Sequence, residues 1–305
     1  MRNSSRYLGL ELAGAKNQKT ALAVLEYYPT EQKVFLLDIY DRIAMEERES
    51  SDEALIALIE EFKPGDGPEA GRQVSKIGVN VPLVLPPCAA CIRKACPMPA
   101  KCSVPAVRWM RGVTKKAARR PSTKKTVREF TPYTQRPIEL HMRYEVMPGL
   151  PLSHRFEIDE ALGGNRAPLT ARMNFLLRHL AGGSGWIDAG DLERAGVIEI
   201  WPKLSVALLG IELGIPKRAI SQYRHLEQGG HSREEILEAL VEKHGLFVYD
   251  RDLRKLSQSL ACFDAFICAY TALLADIGKC VKSPAGFPVK SGWINFPAKS
   301  SGARG

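Results

Sequence analysis

The chain opens with three short apolar runs separated by turn-forming residues. The runs are rich in Val, Leu, Ile and aromatic residues, and Gly, Asn, Pro and Lys lie between them. This composition and spacing favour β-strands joined by short turns. We therefore predict a three-stranded meander, with strands at residues 7–12, 20–28 and 34–40.

A helix and a buried strand are predicted next. Apolar side chains recur at positions 55, 56, 58, 59 and 62, Ser51 or Asp52 can cap the start, and Pro64 follows the end. This spacing and these boundary residues are typical of an amphipathic helix. Residues 76–81 form a short apolar run that ends at Pro82, which is typical of a buried strand. The predicted element order is therefore βββαβ.

The pattern then breaks down between residues 86 and 160, where Cys, Pro and basic residues dominate and regular amphipathic periodicity is hard to find. We predict that this segment is an irregular insertion. Regular patterns return afterwards, and they predict helices at 169–180, 204–213, 232–244 and 253–277 and strands at 197–201 and 292–296. The fold predicted is a mixed α/β sheet flanked by helices, built from residues 1–85 and 161–298, with a disordered tail at 299–305.

The cellular compartment is predicted from the N-terminus, the longest apolar stretch and the cysteines. No signal-peptide core follows Met1, and the longest apolar stretch, residues 265–275, is shorter than the roughly 20 residues that span a bilayer. The seven cysteines are odd in number and four of them are clustered, which favours a reducing compartment over disulfide formation. We expect a cytoplasmic protein without a membrane partner.

The clustered cysteines have a spacing that suits a metal ion. Cys88, Cys91, Cys96 and Cys102 form the pattern C-x2-C-x4-C-x5-C. Four thiolates in so short a segment can surround one Zn²⁺ ion tetrahedrally, and the spacing is close to that of nucleic-acid-binding zinc knuckles. A 4Fe-4S cluster, especially since Pro97 follows Cys96, and thiols without a ligand are the alternatives. The other three cysteines are expected to be core residues.

A strongly basic segment begins inside this cluster. Between residues 93 and 128 there are twelve Lys or Arg and no Asp or Glu, whereas the rest of the chain has 31 basic and 34 acidic residues. Cations neutralise phosphates, and the aromatic rings of Phe130 and Tyr133 can stack on bases. A solvated basic loop is the alternative. We predict nucleic-acid contacts at Lys115, Lys116, Arg119, Arg120, Lys124 and Lys125.

Five short motifs, in order along the chain, resemble a known family. They are LGLELAG from residue 8, IGVNVPL from residue 77, VIEIWP from residue 197, FDAFICAYTA from residue 263 and GWI from residue 292. Their order and spacing resemble the predicted nucleases of the domain of unknown function 429 family. The resemblance covers about residues 7–297 and implies an RNase H-like fold, whose element order matches the one predicted above.

The resemblance also implies a set of catalytic residues. It aligns Glu11, Asn80, Glu199 and Asp264, and the family usually has Asp at the first two positions. Converging carboxylates of this kind hold two Mg²⁺ or Mn²⁺ ions that activate water for phosphodiester cleavage. The alternatives for single residues are an edge-strand surface position for Glu11, an Arg partner for Glu199, and a helix-capping role for Asp264.

Three alternative functions follow for the chain. The first is a metal-dependent nuclease acting on DNA or RNA, in which the cysteine and basic segment holds the strand. The second is a catalytically weakened nucleic-acid-binding protein, because Asn80 can ligate through its carbonyl oxygen but supplies no negative charge. An iron-sulfur protein is the third alternative.

Overall fold

The computed structural model describes residues 4–14, 20–45, 47, 50–62, 74–119, 129–181 and 189–299. Most of the predicted C-terminal tail, from residue 300 onward, lies outside these ranges. The chain divides into two compact units. The first consists of Met1–Val81, Arg194–Val281 and Asn295–Gly305, and the second of Pro82–Glu193 and Lys282–Ile294.

The described residues form seven strands and eleven α-helices. The strands are β1 (Ser5–Glu11), β2 (Ala21–Tyr28), β3 (Lys33–Tyr40), β4 (Val74–Val79), β5 (Val197–Ile200), β6 (Leu246–Phe247) and β7 (Ile294–Asn295). The helices are α1 (Ser51–Glu61), α2 (Met98–Lys101), α3 (Pro105–Ala118), α4 (Pro137–His141), α5 (Arg166–Leu180), α6 (Ala189–Ala195), α7 (Pro202–Leu213), α8 (Lys217–Gln222), α9 (Gly229–His244), α10 (Asp250–Gln258) and α11 (Leu260–Asp276).

All seven strands belong to one mixed sheet with the order β6-β3-β2-β1-β4-β5-β7. Strands β1, β2 and β3 are antiparallel neighbours, which confirms the predicted meander, and β4 and β5 continue the sheet parallel to β1. The chain is therefore a mixed α/β protein with a seven-stranded sheet flanked by helices. The carboxyl ends of β1, β4 and β5 meet at one edge of the sheet, because parallel strands run in the same direction.

Two paired glycines bring helix α11 close to the sheet. Gly9 of β1 lies beside Gly78 of β4. A Cβ atom at Gly9 would lie 1.9 Å from the carbonyl oxygen of Ala265, and one at Gly78 would lie 2.4 Å from that of Cys268. Since only glycine permits such an approach, these two positions fix the height at which α11 crosses β1 and β4.

The single long helix predicted for residues 253–277 is wrong. The structure has two helices there, α10 and α11, bent by 112° relative to each other. Ser259 between them has extended backbone dihedrals, and its hydroxyl accepts a hydrogen bond from the backbone N–H of Cys262 at 3.3 Å. Ser259 is thus the N-cap of α11, and it separates the polar helix α10 from the apolar helix that follows. In the described part of the chain, no single helix is long and apolar enough to cross a membrane.

The prediction of an irregular segment at residues 86–160 is also wrong in part. Helix α3 runs for 14 residues inside it, starts with Pro105, and buries only Ala106, Val107, Met110 and Ala117. A proline in the first turn favours helix initiation. Only four of its 14 side chains are buried, and its exposed positions include Arg108, Lys115 and Lys116.

Candidate active site and basic helix

Glu11 and Asn80 lie side by side at the carboxyl ends of β1 and β4. Leu10 pairs with Val79, and the backbone N–H of Asn80 donates to the carbonyl of Leu10 at 3.1 Å. The side-chain amide of Asn80 donates to Oε2 of Glu11 at 2.7 Å. The parallel register that continues from β1 and β4 therefore brings together an acid and an amide that are 69 residues apart.

Asp264 projects from α11 in a fully buried position. It does not cap the helix, because α11 begins at Leu260 and its cap is Ser259. The Arg224 guanidinium donates to Oδ2 of Asp264 and forms an ion pair with it, whereas the buried Oδ1 has no hydrogen-bond partner in the described structure. Burial raises the pKa of the Asp264 carboxyl, and the positive charges of Arg224, Lys203 and Arg233 oppose that shift.

Arg224 reaches Asp264 because hydrogen bonds from Arg233 fix the turn that carries Arg224. The buried guanidinium of Arg233 in α9 donates to the carbonyl of Tyr223 at 2.5 Å and to that of Ser257 at 2.7 Å. Gly229 leaves room for this, since a Cβ there would lie 2.7 Å from Nη1 of Arg233. Arg224 also lies 5.6 Å from the centroid of the Tyr223 ring. These contacts hold the backbone at Tyr223 in place, and they thereby keep the Arg224 guanidinium against Asp264.

The Tyr223 hydroxyl links these groups electrostatically. Burial raises the pKa of Tyr223 well above its usual value, and the negative charges of Asp264 and Glu11 act in the same direction. Both carboxylates are therefore near enough to this hydroxyl to influence it. Helix α11 covers the face of the sheet to which Gly9 and Gly78 belong. Glu11 and Asn80 lie two residues further along and so belong to the same face, which is the one over which α11 carries Asp264.

Glu199 is not brought together with these residues. It pairs with Val79 in β4, whereas Ile198 pairs with Gly78. Side chains of directly paired residues point to the same face of a sheet, and successive side chains alternate. Glu199 therefore faces away from α11, opposite to Asn80, and it is buried there with an exposed fraction of 2%.

In this structure the aligned residues are not all directed at a common position for metal ions. Among the residues that the structure describes, no three His, Cys, Asp or Glu side chains are grouped so that they could hold a metal ion. Oδ2 of Asp264 is bonded to Arg224, Glu199 is on the other face, and the amide of Asn80 is turned toward Glu11. A two-ion centre needs several carboxylates directed at the metals rather than at protein cations.

The second unit carries a cationic face on helix α3. Arg108, Lys115 and Arg119 are all exposed and follow a spacing of seven and four residues, which places them on one side of the helix. Gly112 lies on the same side of the helix, between Arg108 and Lys115, and is also exposed. Lys116 is also exposed, but its ammonium group lies 3.7 Å from the carboxylate of Glu145. Of the other predicted nucleic-acid contacts, Arg120, Lys124 and Lys125 lie outside the described residues.

The seven cysteines differ in burial. Cys262 and Cys268 are buried on α11 and Cys280 is partly buried. Cys91 and Cys96 are exposed, Cys88 is half-buried and Cys102 is buried. All seven lie in the described part of the chain, and none forms a disulfide.

Comparison with known proteins agrees with the motif pattern. A family model described as "Protein of unknown function (DUF429)" matches residues 33–288, which is most of the chain. The chain belongs to the DUF429 family. The comparisons with curated proteins and with solved structures gave no significant match. The family description names no activity, so the function must be argued from the residues of this DUF429 protein.

Sequence reasoning missed the residues that surround Asp264. Arg224, Tyr223 and Arg233 belong to no recognisable motif, and Arg224 is 40 residues from its partner. A buried acid in an apolar helix predicts that a cation must lie nearby, because an isolated buried charge is very costly. The sequence does not indicate which of its 43 basic residues supplies that cation.

Proposed function

We propose that this DUF429 protein binds single-stranded nucleic acid through the exposed face of α3. The observation that carries the proposal is the stripe of Arg108, Lys115 and Arg119, which spans about 16 Å along the helix. A regular row of cations of this length suits successive phosphates, and it lies in a segment without any Asp or Glu.

Exposed aromatic and apolar side chains in the second unit support a single strand over a duplex. Tyr133 is 58% exposed, and its neighbour Pro132 accepts a hydrogen bond from the backbone N–H of Cys88. Ile92 and Met98, in the cysteine segment, are 98% and 67% exposed and add apolar surface. An exposed aromatic ring such as that of Tyr133 can stack on an unpaired base, whose face a duplex does not offer.

Neutralising the α3 stripe is expected to weaken this binding. The variant Arg108→Gln/Lys115→Gln/Arg119→Gln should bind a labelled single-stranded RNA or DNA at least about tenfold more weakly at moderate salt. The slope of log affinity against log salt should become shallower by about 2, since each phosphate contact on a single strand contributes about 0.7. Fluorescence anisotropy across a salt series measures both quantities.

The matched control removes three exposed cations from the first unit. Lys217→Gln/Arg218→Gln/Arg254→Gln changes the net charge by the same amount, and all three side chains are exposed. It should leave affinity and salt slope close to those of the original chain. Equal losses in the two triple variants, or no binding by the original chain at low salt, would contradict the proposal.

A metal-dependent nuclease is the second candidate, and one observation favours it. Glu11 and Asn80 lie at adjacent strand ends on the face over which α11 carries the buried Asp264. Carboxylates from strand ends and a helix are the residue types that such nucleases use. The Arg224–Asp264 ion pair and the amide at position 80 count against full activity.

The nuclease candidate predicts metal-dependent cleavage that needs Asp264. Labelled single-stranded and duplex DNA and RNA should be cut in the presence of Mg²⁺ or Mn²⁺, and Asp264→Asn or Glu11→Gln should lower the rate by about 100-fold or more. Asn80→Asp, which restores a carboxylate, should raise the rate. Cleavage that is equal in the original chain and the identically purified Asp264→Asn variant would indicate a contaminating nuclease.

A further inference from the structure

The cysteine loop, residues 86–104, is held by hydrogen bonds near both ends, while its middle buries no side chains. At its start the backbone N–H of Cys88 donates to the carbonyl of Pro132 at 2.9 Å, and that of Cys91 donates to the carbonyl of Cys88 at 3.4 Å. All eight residues from position 91 to position 98 are exposed. Apolar burial therefore does not hold this stretch in place, and a cross-link is the usual substitute in small irregular segments.

Arg111 of helix α3 fastens the other end of the cysteine loop. One guanidinium nitrogen, Nη1, donates to the carbonyl oxygens of Pro99 at 2.6 Å and Ala100 at 2.8 Å. The other, Nη2, donates to the carbonyl of Cys102 at 3.2 Å. Cys102 is buried, with an exposed fraction of 7%. The last cysteine of the cluster is thus held at a fixed position beside α3.

The four thiols lie within 15 residues of one another along the chain, and the carbonyl of Cys88 accepts a hydrogen bond from the backbone N–H of Cys91. The described side chains are not grouped around a common point that could hold an ion, and Cys91 and Cys96 are turned into solvent. The four thiols are therefore close together along the chain but do not surround a common point in this structure.

We propose that Cys88, Cys91, Cys96 and Cys102 bind one Zn²⁺ ion as four thiolates, and that this ion is the cross-link of the cysteine loop. Four thiolates around a divalent ion carry a net charge of −2, and the loop supplies Arg93, Lys94 and Lys101 but no acidic residue to offset it. Binding releases the thiol protons to solvent. Arg111 is a positioning residue here, since it acts on Cys102 through the backbone.

This site is independent of the proposed function. Zinc would hold the loop whether or not α3 binds nucleic acid, and the thiols are not part of the carboxylate cluster of the first unit. Structural zinc sites with four cysteines are closed and need no other ligand. Metal content and nucleic-acid affinity are therefore separate measurements, and one can fail without the other.

The first test measures metal content of the full chain, purified under reducing conditions and analysed by mass spectrometry for zinc and iron. The expected result is one zinc per chain. Replacement of zinc by Co²⁺ should give the thiolate-to-cobalt charge-transfer band and intense visible bands of a tetrahedral four-thiolate site. A brown protein with iron and acid-labile sulfide, or a chain without stoichiometric metal, would overturn the proposal.

Variants assign the metal to these thiols. Cys91→Ser and Cys96→Ser, at exposed positions, are expected to lose the stoichiometric zinc and the cobalt bands, whereas Cys280→Ser, at a half-buried cysteine outside the cluster, should keep both. Chelation of the original chain provides a test that needs no variant. Removal of zinc should speed proteolytic cleavage at residues 91–98, and its return should restore protection. Zinc retained by both loop variants would place the metal elsewhere.

Discussion

Gly9→Ala is expected to destabilise the first unit by about 3 kcal/mol or more. The new methyl group would lie 1.9 Å from the carbonyl oxygen of Ala265, which is backbone and cannot rotate away. Helix α11 would have to lift from β1, and its buried apolar face would lose its contacts with the sheet. The free energy of unfolding, measured by urea denaturation followed by circular dichroism, gives the loss.

Gly112→Ala is the same chemical change, but it is expected to raise the free energy of unfolding. Gly112 is exposed within α3, and a Cβ there would meet no atom within 4 Å. Alanine at this position should stabilise the second unit by about 1 kcal/mol, because it lowers the backbone entropy lost on helix formation. A Gly9→Ala variant as stable as the original chain would mean that α11 does not pack against β1 as described.

Arg136→Met is expected to cost about 3–5 kcal/mol in the second unit. Arg136 and Glu139 are both fully buried, and Nε of Arg136 lies 2.8 Å from Oε1 of Glu139. Removal of the arginine takes away the guanidinium charge beside this buried carboxylate. The backbone N–H of Arg136 still donates to Oε2 of Glu139 at 2.7 Å, but a neutral donor does not replace a guanidinium.

The double variant separates the net contribution of the ion pair from the cost of breaking it. Arg136→Met/Glu139→Leu removes both charges, so we expect it to be less destabilised than Arg136→Met alone. It still loses the cap that Glu139 gives to the start of α4, which is worth about 1 kcal/mol. A double-mutant cycle in urea measures the coupling. Additive losses would indicate that the two side chains do not interact in the folded protein.

The Arg224–Asp264 ion pair bears most directly on function. In a site built for two metal ions, a carboxylate at this position would be directed at a metal, and here a supported guanidinium bonds to it instead. Asn80 acts in the same direction, since the family resemblance implies Asp at this position and an amide carries no negative charge. These two features are why nucleic-acid binding through α3 is proposed ahead of cleavage.

Local sequence patterns were sufficient for most of the sheet. The strands β1 to β5 and helix α1 lie within a few residues of their predicted positions, because each has an uninterrupted apolar pattern and clear turn or cap residues at its ends. Two errors have local causes as well. Ser259 caps a new helix where the sequence changes from polar to apolar, and α3 forms with a buried face of only four residues.

The sequence by itself determined the strand meander, the membership of the DUF429 family and the charge and cysteine content of the second unit, since each depends only on residues close together in the chain. Tertiary structure alone decided which functional side chains meet. Glu199 faces away from Asn80 because strand register sets its side of the sheet, where a shift of one residue reverses every side chain. Arg224 meets Asp264 because α9 holds its turn against α11, a packing contact between segments that no local pattern encodes.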